Sequence, residues 1–396
     1  MKEGKKAPKL RFKGFTDDWE QCKLGDVANR VTTKNKGIVS KLPLTISAQD
    51  GLVSQEEFFN KKVASTDLSS YLLLHLGDFA YNKSYSSGYP FGTIKRLEKY
   101  PQGVVSSLYI AFKPKSRISS NFMAQYYESS NWHKEIYKCA AEGARNHGLL
   151  NVSPTDFFAT NLKIPIAKSE QLKIGKLLKE VDQTITLHEE KKRQLERLKS
   201  ALLQKMFADK SGYPDVRFKG FNEAWTNRKL GNYFDYEQPT PYIVTNTNYS
   251  DEYNTPVLTA GQSFILGYTN EDTGVKCATY KEPVIIFDDF TTSTHLVTFP
   301  FKVKSSAMKI LTLTQKNDSM YFGYTSLLNI KYKPLNHERQ WISIFSKIKI
   351  GIPISKIEER KIGNLFEKID RLDNYFQQKI ERLNSIKQSL LQSMFI

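Results

Sequence analysis

Residues 164–207 read IPIAKSEQLKIGKLLKEVDQTITLHEEKKRQLERLKSALLQKMF, and residues 352–395 read IPISKIEERKIGNLFEKIDRLDNYFQQKIERLNSIKQSLLQSMF. The two stretches align without a gap at an offset of 188, with about two positions in five identical. Apolar residues recur every seven positions in both. One seam is Ile174, Val181, His188, Leu195 and Leu202, matched by Ile362, Ile369, Phe376, Leu383 and Leu390. The second seam is taken as Leu177, Thr184, Lys191 and Leu198, matched by Leu365, Leu372, Lys379 and Ile386. Five heptads with charges between them predict a coiled-coil helix in each copy. Pro165 and Pro353 stand where a helix starts but cannot run through. A helix of about 40 residues is about 60 Å long and has no core of its own, so the two copies are expected to pair. His188 and the seam lysines are read as register-fixing polar residues with snorkelling stems, not as a site.

A second repeat has a different offset. PKLRFKGFTDDWEQCKLGD (8–26) returns as PDVRFKGFNEAWTNRKLGN (214–232), 206 residues later. Each RFKGF phrase opens a block, about 10–163 and 216–351, of short β-type runs separated by turn residues, such as EPVIIFDDF and MKILTLT. The segment at 119–140 reads as helix. The chain is thus globule, long helix, globule, long helix. Boundaries fall at 1–163, 164–210, 211–351 and 352–396. About nine residues join Phe207 to Arg217, and about eleven would join Phe395 to Arg11 through the termini. Paired antiparallel helices would therefore bring the termini together. The expected fold class is α+β: two globular mixed α/β domains separated by a pair of long antiparallel coiled-coil helices, pseudo-twofold symmetric. The RFKGF phrases are read as structural, pinning each globule to a helix end.

The charge of +17 and pI near 9.4 point to a polyanionic partner, nucleic acid before membrane. No apolar run approaches the ~18 residues of a membrane span, and the basic start is not followed by the apolar stretch of a signal peptide. Cys22, Cys139 and Cys277 make neither a disulfide framework nor a metal cluster, so a reducing, cytoplasmic setting is expected. Chemistry of the chain's own is not legible. Gly175-Lys176 lies in a coiled-coil helix without the glycine loop of a phosphate site. The histidines (75, 133, 147, 188, 295 and 337) have no metal-ligand spacing, and no metal site is assigned. Neighbouring Asp288 and Asp289 would point to opposite faces of a strand.

In the order of these parts, the chain resembles the specificity subunit of type I restriction–modification enzymes. The carriers are the RFxGF…W…LG phrases, the helices running from IPI to LLQxMF, and phrases within the blocks, LGDFAYNKSYSSG (76–88) and FDDFTTSTHLVTFPFKVKSSAMKIL (287–311). The resemblance implies that each block is a target-recognition domain reading half of a split duplex sequence, with the helices setting the gap. It implies two methyltransferase subunits as partners, with restriction/translocase subunits joining the assembly, and no catalytic residue here. S-adenosylmethionine, ATP and Mg are expected in partner subunits and no cofactor in this chain.

Contact with DNA needs cations for phosphates and amide, hydroxyl or guanidinium groups for base edges. Candidates in the first block are Lys34, Lys36, Asn82, Lys83, Ser84, Tyr85, Ser87, Tyr89, Arg145, Asn146 and His147. In the second they are Thr291, Thr292, Ser293, Thr294, His295, Lys302, Lys304 and Arg339. Other readings are a stand-alone two-domain DNA-binding regulator, a self-contained nuclease or methyltransferase, and a coiled-coil structural protein.

Overall fold

A computed structural model describes residues 7–61, 63–84, 86, 88–140, 150–209, 211–259, 263–334 and 339–396. The candidates Tyr85, Ser87, Arg145, Asn146 and His147 lie outside the described residues, as does His337. The chain divides into two compact units, Met1–His188 with Lys379–Ile396, and Glu189–Gln378. Each unit holds one globule and a segment of both long helices.

In the first unit β1 (Glu20–Lys23) precedes β2 (Ala28–Arg30), followed by β3 (Phe79–Asn82), β4 (Thr93–Arg96) and β5 (Ile110–Pro114). Helix α1 (Ser120–Glu128), strand β6 (Asn161–Ile164) and helix α2 (Lys168–Lys205) complete it. Strands β2, β5, β3 and β4 form one sheet in that order, antiparallel throughout, while β1 pairs with β6. The central run Phe79-Ala80-Tyr81 is buried on both faces, which explains why it is apolar without alternation. A smaller lobe of two-stranded sheets, Leu44–Ser47 with Gly51–Ser54 and Leu72–His75 with Gln102–Val105, packs a second core around Leu44, Leu74 and Val105.

The second unit repeats the plan with β7 (Thr226–Lys229), β8 (Phe234–Glu237), β9 (Val284–Asp288), β10 (Thr294–Val297) and β11 (Met308–Leu313). Helix α3 (Met320–Leu328), β12 (Lys349–Ile352) and helix α4 (Lys356–Met394) follow. Its sheet order is β8, β11, β9, β10, and β7 pairs with β12. Two blocks with little sequence likeness therefore share one topology. Ser119 and Ser319 cap α1 and α3 alike, accepting from Phe122 N and Phe322 N.

The repeated phrases form the same clamp twice. Arg11 donates through Nε and Nη2 to the buried Glu170 carboxylate at 2.7 and 2.9 Å. Arg217 does so to Glu358 at 2.6 and 2.8 Å. Lys173 lies over Phe12 and Phe15, and Lys361 over Phe218 and Phe221. Leu10 N donates to Ser393 O at 2.9 Å, and Val216 N to Lys205 O at 2.9 Å. Trp19 sits edge-on to Phe122 and Phe395, as Trp225 does to Phe322 and Phe207. Each RFKGF phrase thus ties the start of one long helix to the end of the other, and the segment around Leu10 meets the C-terminal one.

Within each unit the two helices run antiparallel. In the second, Lys192 pairs with Asp373 at 3.7 Å and Lys199 with Asp370 at 2.5 Å. In the first, Lys387 pairs with Asp182 at 2.6 Å, and Ile174 and Leu178 share a core with Leu391 and Met394. The seam through Ile174, Val181, His188, Leu195 and Leu202 faces inward, as does that through Ile362, Ile369, Phe376, Leu383 and Leu390. The second seam is corrected by one residue. It runs through Leu178, Ile185, Lys192, Lys199 and Met206, and through Phe366, Asp373, Ile380, Lys387 and Met394. Leu177 and Leu365 still pack against the cores from their edges, but Leu198, Leu372 and Ile386 are exposed. The physical reason is that part of the true seam is built from Lys–Asp pairs with buried stems, which an apolar count passes over.

Gly175 and Gly363 seat the long helices on the globules. A Cβ at Gly175 would stand 2.6 Å from Phe122 N and 2.8 Å from Asn121 C. At Gly363 it would stand 3.0 Å from Phe322 N. Only glycine lets the α1 and α3 N-termini approach so closely.

Candidate nucleic-acid interface

Register locates one end of each sheet as the place where candidate residues gather. In the first unit β2 and β3 are both antiparallel to β5, so they run parallel to each other. Arg30 stands opposite Phe112 and Tyr81 opposite Ile110, at the start of β5. The segment after β2, with Lys34 and Lys36, and the β3–β4 hairpin, with Asn82, Lys83, Ser84 and Tyr89, therefore leave the sheet at the same end. In the second unit Glu237 stands opposite Ile310 and Asp288 opposite Met308, at the start of β11. The segment after β8 and the β9–β10 hairpin with Thr291–Thr294 leave at the equivalent end.

The side chains divide into presented and committed ones. In the first unit Lys36 and Tyr89 are exposed. Lys34 Nζ donates to Ser70 O at 2.8 Å. Lys83 turns inward and donates to Val152 O at 3.1 Å, and burial lowers its pKa. Asn82 Oδ1 accepts from Ser84 N at 3.0 Å, which shapes the hairpin entry. Leu150 N donates to Lys83 O at 3.0 Å, which ties the start of the 150–153 segment to this hairpin.

In the second unit the turn is built around its two carboxylates. Asp288 accepts from Phe290 N at 2.9 Å and from Thr291 Oγ1, and Thr292 N donates to Asp288 O at 3.0 Å. Asp289 takes Trp341 N on Oδ1 at 2.8 Å and Gln340 N on its carbonyl at 2.9 Å. Exposed Arg339 is thereby brought to the hairpin, although it lies far away in sequence. Ser293 Oγ meets His295 Nε2 at 3.1 Å, and His295 stacks on Phe264 with centroids 4.0 Å apart. Burial lowers the His295 pKa, with Asp288 opposing. Lys304 is exposed and lies over the Tyr249 ring.

Lys302 is corrected. It is 2 % exposed, donates to Thr273 O at 2.7 Å and pairs with Glu271 at 2.9 Å, so it supports the lobe rather than facing a ligand. Against the upward push of burial, Lys302 and hydrogen bonds from Thr245 and Asn246 hold Glu271 down at about 2.

Sequence reasoning missed the supports beneath these loops. Lys309 is fully buried under the second hairpin, 3.5 Å from Asp289 Oδ2 and donating to Gln238 Oε1 at 3.0 Å. Asn35 is fully buried inside the Lys34–Lys41 loop. The Asn-Lys-Gly run there is a turn signal that could have marked it. Among the described residues no three His, Cys, Asp or Glu are grouped to hold a metal ion, and no helix is long and apolar enough to cross a membrane. The arrangement offers hydroxyls, amides and cations on two equivalent sheet ends, suited to recognition.

Residues 16–197 match the family described as the type I restriction modification DNA specificity domain. The chain is 45% identical over 166 residues to the Escherichia coli type I restriction enzyme EcoR124I/EcoR124II specificity subunit, a match covering 41% of this chain and 40% of that one. The chain thus spans about two fifths of that relative's length in the match. Its fold superposes on the crystal structure of the type I restriction-modification system S subunit from M. genitalium with a TM-score of 0.69 at 14% identity, covering 98% of this chain and 99% of the other. The likeness of fold extends to both units, including the half outside the family match. Residues 16–197 are thus similar to the type I restriction modification DNA specificity domain, and the fold of the chain is similar to that of the S subunit.

Proposed function

We propose that the chain is the DNA-specificity subunit of a type I restriction–modification system, without catalysis of its own. Each unit reads one half of a split duplex target with the loops at its sheet end, and the paired helices set the gap between the halves. Two methyltransferase subunits dock on the chain, and restriction/translocase subunits join through the assembly. S-adenosylmethionine, ATP and Mg belong to those partners. The observation that carries this reading is the double occurrence of one frame, clamped by Arg11–Glu170 and Arg217–Glu358, around sheet ends that present different side chains. A repeated frame suits a partner with two half-sites, and a charge of +17 suits its phosphates.

Docking of two like subunits is supported by the outer faces of the helices and the segments that lead into them. Positions equivalent by the 188-residue offset are apolar and exposed in both copies: Ile166 and Ile354, Leu187 and Tyr375, Leu198 and Ile386. Exposed apolar residues at such spacing mark interaction surfaces. Co-expression with a type I methyltransferase subunit tests the reading. The expected result is a complex of one chain with two methyltransferase subunits that methylates adenine at a split sequence. Sequence-specific binding of duplex by the chain alone, with no association, would favour a stand-alone regulator instead.

A further inference from the structure

Among the described residues three that are not glycine hold a left-handed backbone: Asn60 (φ 50), Ile38 (φ 53) and Thr292 (φ 62). Asn60 ends a helix at Gln55–Phe59, where that conformation is ordinary. The other two are β-branched, for which it is strained. Thr292 stands in the β9–β10 hairpin of the second unit, and Ile38 in a loop that follows β2 in the first unit and is bonded to Leu68 and Gln102 of its smaller lobe. Strain of this kind persists only where surrounding structure enforces it.

At Ile38 the enforcement is visible. Asn35, fully buried, donates through Nδ2 to Ser40 O at 2.8 Å and Leu68 O at 3.3 Å, and its Oδ1 accepts from Ser40 N at 3.0 Å. Its carbonyl accepts from Ile38 N at 3.0 Å, and Gln102 Nε2 donates to Val39 O at 3.1 Å. These bonds close residues 35–40 into a staple whose tip is Ile38-Val39. The two side chains are 42% and 57% exposed, although nothing in the staple's own bonding needs an apolar tip. Around them the sequence carries Arg30, Lys34, Lys36 and Lys41, with no acidic residue between Asp26 and Asp50. Arg30, Lys36 and Lys41 are exposed.

We propose that Ile38-Val39 is an apolar wedge that this staple presses into a groove of duplex DNA beside the first half-site, with Lys36 and Lys41 on the flanking phosphates. The inference rests on the reading of the chain as a DNA-specificity subunit and adds a mode of contact to it. Apolar side chains inserted at a base step unstack and kink it. Flexible pyrimidine–purine steps yield at least cost, so a wedge contributes sequence preference without hydrogen-bonding a base. A loop whose own charges are all cationic suits a polyanion. The rigid staple limits the entropy lost when the tip engages.

The test uses the assembled complex and a duplex carrying its methylated target, with 2-aminopurine placed in turn at each step flanking the first half-site. The unaltered complex is expected to bind and to raise fluorescence at one step. Ile38→Gly, which relieves the strained backbone, and Val39→Ser, which leaves it unchanged, should each weaken binding several-fold and abolish the rise. Neither should alter the salt dependence, whereas Lys36→Ala should flatten its logarithmic slope by about 0.9. Binding without any fluorescence rise, or a rise that survives in both variants, overturns the wedge alone. So does loss of the methyltransferase subunit from either variant, which would make the tip a protein contact. An unaltered complex that binds no duplex overturns the specificity reading and the wedge with it.

Discussion

Replacing Arg217 by Met tests the clamp that holds the second unit to its helices. The Glu358 carboxylate is fully buried and accepts two charge-assisted bonds from that guanidinium, which is itself only 13% exposed. Removing the cation leaves a buried anion stripped of both bonds, a loss of about 3 kcal/mol. In a unit of 190 residues, each kcal/mol moves the unfolding midpoint by about 2–4 °C, so the shift should be roughly 6–12 °C. Thermal unfolding of the full chain, followed by circular dichroism and calorimetry, reads it. Arg11→Met should act alike through Glu170, and Arg217→Met/Glu358→Leu should recover much of the loss because no charge is left unpaired. A shift below ~2 °C would refute the reasoning on magnitude. A double variant as unstable as the worse single one would refute it on mechanism.

Much of this frame is legible in the sequence because it is written twice. The RFKGF phrases, the tryptophans and the long helices recur at fixed offsets, and physical contacts recur with them: Arg11–Glu170 beside Arg217–Glu358, Trp19–Phe395 beside Trp225–Phe207. The helix seam was legible only by half. A seven-residue count on apolar character selects Leu198, Leu372 and Ile386, whereas the inward positions include Lys192, Lys199, Asp373 and Lys387, whose charges meet across the pair. Leu198 and Ile386 instead lie on the surface proposed for docking. At the sheet ends, hydroxyl- and amide-rich runs mark loops but not which side chains are spent within them. Lys302 and Lys83 look like phosphate ligands in sequence, yet their ammonium groups are drawn inward by Glu271 and by carbonyls distant in the chain. The junction of Asp289 with Gln340 and Trp341 is a tertiary fact that no local pattern carries.

Gly175→Ala should destabilise the first unit by about 2 kcal/mol, because the new methyl meets backbone at 2.6 Å. At an open helix site the same change stabilises by about 1 kcal/mol, so the sign in a thermal melt is diagnostic. His295 should make the second unit acid-sensitive. Its folded pKa is lowered, so the neutral ring is favoured in the native state, and stability is full above the unfolded value of about 6.5 and lost as pH falls below it. His295→Gln should remove that part of the pH dependence between pH 7 and 5, and an unchanged profile would contradict the assignment. Inserting one heptad into each long helix adds about 10 Å of rise. This should lengthen the gap in the methylated sequence by about three base pairs and leave both halves intact. Altered half-sites would count against a spacing role.

The most direct test of the two-reader account is methylome sequencing of cells carrying this chain with type I methyltransferase subunits, before and after residues 215–351 are exchanged for the matching block of a type I specificity subunit. The account predicts a split methylated motif in which one half changes and the other half and the gap persist. A continuous motif, or a change in both halves, would contradict it.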